Sequence, residues 1–450
     1  LLGAGFGPDN EDDGVLFADD FIVFDEAHEI PEVASEHLGL SLSSWSLETF
    51  LRRLYNPRGR KGLLKSIGRL SDFEAVENAV LAVEDFFQIL HVDTLGNKDR
   101  SRLVEKGRLP MEIFPPLSLV LRKLIELGET CEDETTKIEI KDQAKRMQGY
   151  LNGLSDIFDL KDPDSVYWME RTGKKNQIIH LRSPPLKIAE ILREQLFAKK
   201  SSIVMTSATL TRKGKADTFK EEVGVDILDQ KIVLSPFDYE NNMQVRILSD
   251  CPEPQGKDRS LYLKFLVRAI DSAAKSIEGG TLALFTNFAD LEYCFHNLKS
   301  SWGRLGRSVY AQGQGYSRSE LGARMMEEGD VLLLGAESFW KGFDAKGPSL
   351  SQVILTRLPF ENPGHPVMEA KTERLSKAGK SSFMEITIPR AVIRFRQGIG
   401  RLIRSHTDVG DLLIIDSRII SKRYGNHFLS ELPKQNYDLV SILDLLGDIE

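Results

Sequence analysis

Cysteine is scarce in this sequence. Its 450 residues include three, Cys131, Cys251 and Cys294. They lie too far apart for a C-x-x-C pair or for any spacing that frames a zinc or iron–sulfur site, so reduced thiols without a chemical role are expected. Long apolar runs are missing too. No stretch approaches the roughly 18 residues a membrane-spanning helix needs, and no charged segment followed by an apolar one marks a secretory signal. A cytoplasmic protein with no membrane partner is the expectation. Basic charge is not in excess: 59 lysines and arginines face 67 acidic residues, a net charge of −8. Any nucleic-acid surface must therefore be a local patch. A phosphate-cradling loop of the form G-x-x-x-x-G-K-[ST] is also absent. Gly379-Lys380-Ser381 comes nearest, but Arg374 stands where the first glycine belongs and no strand precedes it. The chain opens on Leu1, not Met, with Gly3, Gly5 and Gly7 in an apolar start. The expectation is a fragment.

What is present is strand and helix in alternation. Phe21-Ile22-Val23-Phe24 is a short continuous apolar run, as in a strand buried on both faces of a parallel sheet. From about residue 40 to 160 the texture becomes charged, leucine-rich and helical in period, with helices predicted over Phe73–Leu90 and Leu117–Leu127. Charge clusters such as Glu132-Asp133-Glu134 with Lys137 read as solvated helix faces. Strand signals return at Val166–Met169, Ile178–Leu181 and Ser202–Met205, with a helix over Pro185–Phe197. A polar stretch after Ser235-Pro236-Phe237, running to about Asp258, marks a domain boundary. An amphipathic helix over Leu261–Ile277, stopped by Gly279-Gly280, then leads into further buried runs at Thr281–Phe285, Val331–Leu334, Val353–Leu355 and Leu412–Ile415. Strands alternating with helices mean an α/β fold with a parallel sheet. Two such units are expected, the first interrupted by the helical stretch.

Three segments carry chemistry. Asp25-Glu26-Ala27-His28 stands at the carboxyl end of the first strand, where open α/β sheets bind ligands. An aspartate there can hold Mg²⁺ on nucleotide phosphates, and a neighbouring glutamate can activate water; the same four letters also describe an acidic turn. Thr206-Ser207-Ala208-Thr209-Leu210 puts small hydroxyl residues at another strand's end. Downstream, Pro389–Arg404 reads as a helix with Thr387 as a cap. Val392, Phe395, Ile399 and Leu402 line an apolar stripe; Arg394, Gln397, Arg401 and Arg404 repeat the spacing about 200° around. Such an arginine row can stabilise charge on a transferring phosphoryl group, or it can be a solvated basic stripe.

In order and character these segments resemble superfamily 2 helicases, specifically the DinG/XPD-type iron–sulfur helicase group. Asp25–His28 resembles the DEAH form of motif II and Ser207-Ala208-Thr209 motif III. Leu284-Phe285-Thr286-Asn287 resembles motif IV, Ser338–Asp344 motif V, and Gln397-x-x-Gly400-Arg401-x-x-Arg404 motif VI. Arg357-Leu358-Pro359-Phe360 with Asn362-Pro363, and Ser235–Tyr239, are also typical of the group. Lys341 departs from it, since relatives usually carry glutamate there.

The resemblance implies an α/β fold of two RecA-like parallel-sheet motor domains, the first incomplete at its N-terminus, with a mostly helical arch-like insertion. Residues 1–38 and 163–240 would form motor domain 1, 39–162 the insertion, and 241–450 motor domain 2. It implies an ATP-dependent 5′→3′ DNA helicase using ATP and Mg²⁺, with any iron–sulfur cluster confined to a missing N-terminal part. Asp25 would bind Mg²⁺ and Glu26 would be the general base. His28, Ser207 and Thr209 would couple hydrolysis to movement. Asp344, Gln397, Arg401 and Arg404 would face the nucleotide, and Thr286, Asn287, Ser338 and Phe339 would lie near the DNA. Trp340 fits core packing and base stacking equally. Single-stranded and forked or tailed duplex DNA are the implied partners, and a single-stranded-DNA-binding protein is admitted. An ATPase-dead DNA- or partner-binding protein is the alternative. An RNA-directed DEAH helicase fits the long helical insertion poorly.

Overall fold

The structure is a computed structural model that describes residues 21–447, except 60, 97, 173–177, 199–201, 212–214, 227, 255, 257, 341, 342, 344–348, 362 and 363. The sequence expectations for Lys341, Asp344, Asn362 and Pro363 lie outside the described residues. The chain divides into two compact units, one of residues 1–230 with 363–374, the other of 231–362 with 375–450.

In the first unit, β1 (Ile22–Phe24) leads into α1 (Ile30–Leu38), β2 (Leu40–Ser43), α2 (Ser44–Leu54) and α3 (Leu70–Ile89). Then come β3 (Arg100–Arg102), α4 (Phe114–Thr130), α5 (Glu134–Asp159), β4 (Trp168–Thr172), β5 (Ile178–Ser183), α6 (Ile188–Leu192), β6 (Ile203–Met205) and α7 (Asp217–Val223). The helical stretch is as expected. Its long helices close on one apolar core that includes Phe50, Val76, Val83, Leu117, Leu124, Met147 and Leu154. Asp133 caps α5 by accepting a hydrogen bond from the Thr136 amide at 2.8 Å.

Two expectations change. β1 pairs in parallel with β6, Val23 opposite Val204, yet it is not covered on both faces. Ile22 is buried while Val23 and Val204 are 56% and 48% exposed. Among the described residues β1 and β6 form a two-stranded ribbon, and the apolar core of Ile30, Ile188, Leu192 and Phe219 lies on one face of it. The runs at Val166–Met169 and Ile178–Leu181 do not join that ribbon either. They form β4 and β5 of a four-stranded antiparallel sheet, order β2-β5-β4-β3. The reason is the side-chain period. Leu42, Leu181 and Met169 share one face and join the helical core. The other face carries Ser43, His180, Glu170 and Arg100 in register.

In the second unit, α8 (Tyr239–Asn242), β7 (Met243–Leu248), α9 (Arg259–Lys275), β8 (Thr281–Leu284), α10 (Phe288–Arg304), β9 (Ser308–Ala311), α11 (Arg318–Glu328), β10 (Val331–Gly335), α12 (Glu337–Trp340) and β11 (Gln352–Leu355) come in turn. They are followed by α13 (Pro366–Lys377, whose first residues belong to the first unit), α14 (Ile388–Ile399), β12 (Gly410–Ile414) and β13 (Asp438–Val440). All seven strands are parallel, in the order β13-β7-β12-β11-β8-β10-β9. Every residue of β8, β10, β11 and β12 is buried, as a parallel sheet with helices on both faces requires. Leu282 and Leu284 enter one core, Ala283 and Phe285 the other. One polar layer crosses this apolar sheet. Arg246 donates two hydrogen bonds to Asp411 (2.8 and 3.0 Å), Gln352 donates to Asp411 (2.7 Å), and Thr281 donates to Gln352 (3.2 Å). A buried pair satisfied this fully fixes strand register, because a slip would strand its charges.

Candidate active site

The first cluster lies beyond the carboxyl ends of β1 and β6. Adjacent parallel strands bring their following loops together, so residues about 180 apart in sequence meet. The Thr206 amide donates to the Phe24 carbonyl (2.8 Å) and the Ala27 amide to the Thr206 carbonyl (2.9 Å), which ties the two loops side by side. Glu26 holds a left-handed backbone, φ 51° and ψ 43°. That conformation costs a non-glycine residue roughly 1 kcal/mol. Here it turns the chain sharply, leaving Asp25 and Glu26 exposed while Ala27 is buried.

Asp25 Oδ1 accepts two hydrogen bonds, from Thr206 Oγ1 (2.8 Å) and from the Glu26 amide (3.0 Å). Both fall on one oxygen, so among the described residues Oδ2 accepts none. Ser207 sits at a junction. Its hydroxyl is 3.3 Å from Glu26 Oε2, 2.8 Å from His28 Nδ1 and 3.1 Å from Thr209 Oγ1. The Thr209 amide also donates to it at 3.2 Å. The hydroxyl has one proton, and the Glu26 carboxylate is the strongest acceptor in reach. That assignment leaves His28 as the donor to Ser207, with its Nδ1 also 3.3 Å from Glu26 Oε2. The four sequence-predicted residues Glu26, His28, Ser207 and Thr209 therefore form one hydrogen-bonded chain. Thr206 was expected only as one of the small hydroxyl residues at this strand's end; its bond to Asp25 was not foreseen.

The second cluster gathers around α14. The arginine row is not one helical face. The helix ends at Ile399, and Gly400 takes φ −63° and ψ 0°, so Arg401 and Arg404 lie beyond it. Its start also differs from expectation: Thr387 has helical angles and caps nothing, because a wider turn over Phe383–Thr387 runs straight into α14. Ile388, Ala391, Phe395 and Ile399 face the core, whereas Val392 is only half-buried. Arg394 pairs with Glu361 at 3.3 Å, and so does Arg390 at 3.1 Å. Arg401 is 9% exposed. It donates to the carbonyls of Trp340 (2.9 Å) and Phe343 (3.1 Å), and Arg404 donates to the same Phe343 carbonyl (3.1 Å). Asp408 orients Arg404 by accepting from its amide at 2.8 Å. Gln397 is half-buried on α14. The motif V segment and the arginines of motif VI are thus tied together.

The residues expected near DNA divide. Thr286 and Ser338 are half-buried at the carboxyl ends of β8 and β10. Asn287 caps α10 through the Asp290 amide (2.8 Å) and also donates to the Asp290 carboxylate (3.0 Å). Phe339 is fully buried and packs on Phe343 with ring centroids 5.0 Å apart. Trp340 is 4% exposed and donates to the Phe285 carbonyl at 2.8 Å, so its ring is core.

Residues 270–435 match the family of the helicase C-terminal domain. Along 454 aligned residues the chain is 33% identical to the 3′-5′ exonuclease DinG of Bacillus subtilis, an alignment covering 91% of this chain and 48% of that protein. It is 30% identical to the ATP-dependent DNA helicase YoaA of Haemophilus influenzae, covering 94% of this chain and 64% of the relative. The fold is similar to that of Xpd4 of S. tokodaii, with a TM-score of 0.59 at 17% identity, covering 96% of this chain and 78% of the other. The chain is similar to the DinG/XPD-type superfamily 2 helicases. It spans about half the length of the first of these relatives and just under two thirds of the second. For this family the seven-stranded parallel sheet is a RecA-like motor fold and the helical stretch is the expected insertion. Among the described residues no helix is long and apolar enough to cross a membrane.

Proposed function

We propose that this chain supplies the motor of an ATP-dependent DNA helicase moving 5′→3′ on single-stranded DNA. Motor domain 1 would comprise 1–38 and 163–240, interrupted by the arch-like insertion 39–162, with the antiparallel sheet drawing strands from both segments; motor domain 2 would be 241–450. The observation that carries the reading is the hydrogen-bonded chain Glu26–Ser207–His28 with Thr209, at the carboxyl ends of two parallel strands. A structural turn does not need a left-handed glutamate whose exposed carboxylate is linked to a histidine by a serine.

The donor set of Asp25 fits Mg²⁺. One carboxylate oxygen is anchored by two donors and the other is open, which suits an ion that takes one or two carboxylates along with phosphates and water. Bound with ATP, Mg²⁺ would supply positive charge to the phosphate oxygens. Glu26 takes the proton of the attacking water, and its left-handed backbone holds the carboxylate clear of the loop. Ser207 and His28 sense that proton, because a protonated Glu26 accepts the Ser207 hydroxyl more weakly. Arg401 and Arg404, with Gln397 and Asp344, act on the nucleotide from the second motor domain. Single-stranded and forked or tailed DNA are the substrates, with a single-stranded-DNA-binding protein as a candidate partner.

The test is DNA-stimulated ATP turnover by the protein expressed from its complete reading frame. Glu26→Gln should lower turnover by roughly 10²–10⁴-fold, the usual worth of a general base, while leaving DNA binding in place. Absence of turnover in the unsubstituted protein, with binding retained, would favour an ATPase-dead binding protein. An exonuclease assay on the same preparation separates a nuclease activity, which the name of the Bacillus subtilis relative makes a fair arm of the test.

A further inference from the structure

Between Thr49 and Ser71 the chain carries seven cationic residues (Arg52, Arg53, Arg58, Arg60, Lys61, Lys65 and Arg69) and no aspartate or glutamate, in a protein of net charge −8. The segment joins α2 to α3. Arg52 and Arg53 lie in the last turn of α2, where cations suit the negative end of a helix. Past Tyr55 the chain doubles back in a tight hairpin: the Asn56 amide donates to the Lys61 carbonyl (2.8 Å), and the Lys61 amide to the Asn56 carbonyl (3.3 Å). Gly62, with φ 130°, lies where a Cβ would come within 2.5 Å of the Leu54 carbonyl oxygen. Only glycine lets the hairpin close against the end of α2. Leu64, buried, anchors the turn that follows.

Helix-end chemistry accounts for two of these charges but not for the rest. Arg53, Arg58, Lys61, Lys65 and Arg69 are exposed, and among the described residues none has a carboxylate within ion-pair distance. Arg52 is the exception, paired with Glu48 (2.7 Å) and Glu84 (3.0 Å). Asp72, the next acid along the chain, offers the patch nothing. Its buried carboxylate is taken by Lys123 (3.3 Å) and by the Arg69 amide (2.8 Å). Like charges held this close repel and lower stability, so a solvated connection would be better off without them. Among the described residues of this segment, Thr49 to Ser71, no aromatic ring is free: Phe50 is buried and Tyr55 is stacked on Phe73 at 4.3 Å. A surface rich in exposed cations and without a free ring contacts phosphates rather than bases. Duplex DNA offers the densest such array, one charge per roughly 1.7 Å of axis.

We infer that this hairpin is a contact for the phosphate backbone of duplex DNA, carried by the helical domain and distinct from the nucleotide site. The inference rests on the helicase reading only in choosing DNA among polyanions. Its test uses the protein from the complete reading frame, without nucleotide. Binding to a tailed duplex and to the tail strand alone is followed by fluorescence anisotropy across a KCl series. The triple variant Arg58→Ala/Lys61→Ala/Lys65→Ala should bind the tailed duplex about tenfold or more weakly. Its slope of log affinity against log salt should fall by up to roughly 2.7, about 0.9 for each phosphate that is no longer neutralised. Affinity for the single strand should change less than about twofold, since stacking and interactions elsewhere dominate there. Arg53→Ala/Arg69→Ala, at the other end of the patch, should shift duplex binding in the same direction. Unchanged duplex affinity and slope in both variants, with melting temperatures like the parent, would overturn the inference. So would an equal loss on the single strand, or a loss seen only with anionic vesicles. Patch-dependent duplex binding in a protein that shows no DNA-stimulated ATP turnover would sink the motor reading and leave this one standing.

Discussion

At the scale of single residues, the Thr206 hydroxyl and the Glu26 amide decide how Asp25 presents itself. Both donate to Oδ1, so they fix the rotamer of a side chain that is otherwise free in solvent. Thr206→Val keeps the shape and removes one donor. A hydrogen bond to a carboxylate at an exposed site is worth on the order of 1 kcal/mol, about fivefold in an equilibrium. The Mg²⁺ concentration for half-maximal ATP turnover should rise by about that factor, with turnover recovered at high Mg²⁺, and Thr206→Ser should restore the parent value. A fall in turnover that saturating Mg²⁺ does not repair would show that Thr206 does something other than orient Asp25. The segments of motifs II and III were legible because each follows an apolar run, and that of motif VI because its apolar and arginine positions repeat at helical spacing. The bond from Thr206 to Asp25 was not, and neither was the left-handed turn at Glu26. Both depend on φ and ψ and on two loops being side by side, which a linear pattern does not encode. Phe339 shows the opposite error. A phenylalanine in a motif can as well be core, and here its ring is fully buried.

At the scale of elements, continuous apolar runs gave away β1, β6, β8, β10, β11 and β12, whereas β7 fell inside the stretch read as a polar boundary, β9 and β13 were not read, and β3, an Arg-Ser-Arg segment, offered no apolar signal at all. The end of α14 was also hidden. The arginine spacing continues through Arg404, yet the helix stops at Ile399. Beside Gly398, where a Cβ would lie 2.8 Å from the Trp340 ring, the helix is pressed against the motif V segment, and Arg401 turns in to hold that segment's carbonyls. The basic hairpin was present in the sequence as a run without acids, but helical texture on either side masked it. The antiparallel sheet carries a pH signature of its own. Burial would raise the Glu170 carboxyl, but Arg182 (2.6 Å) and Arg100 (2.9 Å) outweigh it and hold the group below its ordinary range. Burial, aided by Arg182, lowers His180, which faces Glu170 across β4 and β5. Both groups bind protons less readily folded than unfolded, so stability they confer is present above their unfolded values and is lost as pH falls. The loss should begin below about pH 6.5 through His180 and deepen below about 4.5 through Glu170. Urea midpoints measured from pH 7.5 down to 4 should trace that decline, and His180→Gln should flatten its upper part. A profile level from 7.5 to 5 in the parent would contradict the assignment.

At the scale of the whole molecule, the order of the chain and the order of its packing part company at residues 363–374. Sequence places this stretch between β11 and α14, inside what reads as the second motor domain, but it belongs to the first unit. There Ala370 and Val367 cover Trp168 and Val166, and His365 meets the Trp168 ring edge-on at 5.7 Å. Glu373 pairs with Arg102 (2.5 Å) and Arg374 with Asp164 (3.3 Å). The chain thus leaves the second unit and re-enters it within about a dozen residues, and the return leads into α14 and on to Arg401. Nothing in local composition announces such a crossing, since the contacts that define it join residues about 200 positions apart. If the small apolar cluster seats the segment, charge placed at its centre should unseat it. Ala370→Asp would bury an unpaired carboxylate against Trp168, a cost of roughly 2–4 kcal/mol, more than so small a contact can supply. Trp168 is the reporter. Trp302 and Trp340 are buried elsewhere and Trp45 is exposed, so Trp45→Phe leaves a background of shielded rings. In that background Ala370→Asp should turn one tryptophan from shielded to acrylamide-quenchable and shift its emission to the red. The cores around Trp302 and Trp340 should stay intact by near-ultraviolet circular dichroism. Quenching that stays at the parent level in a folded Ala370→Asp protein would mean that Trp168 is covered by something other than this segment.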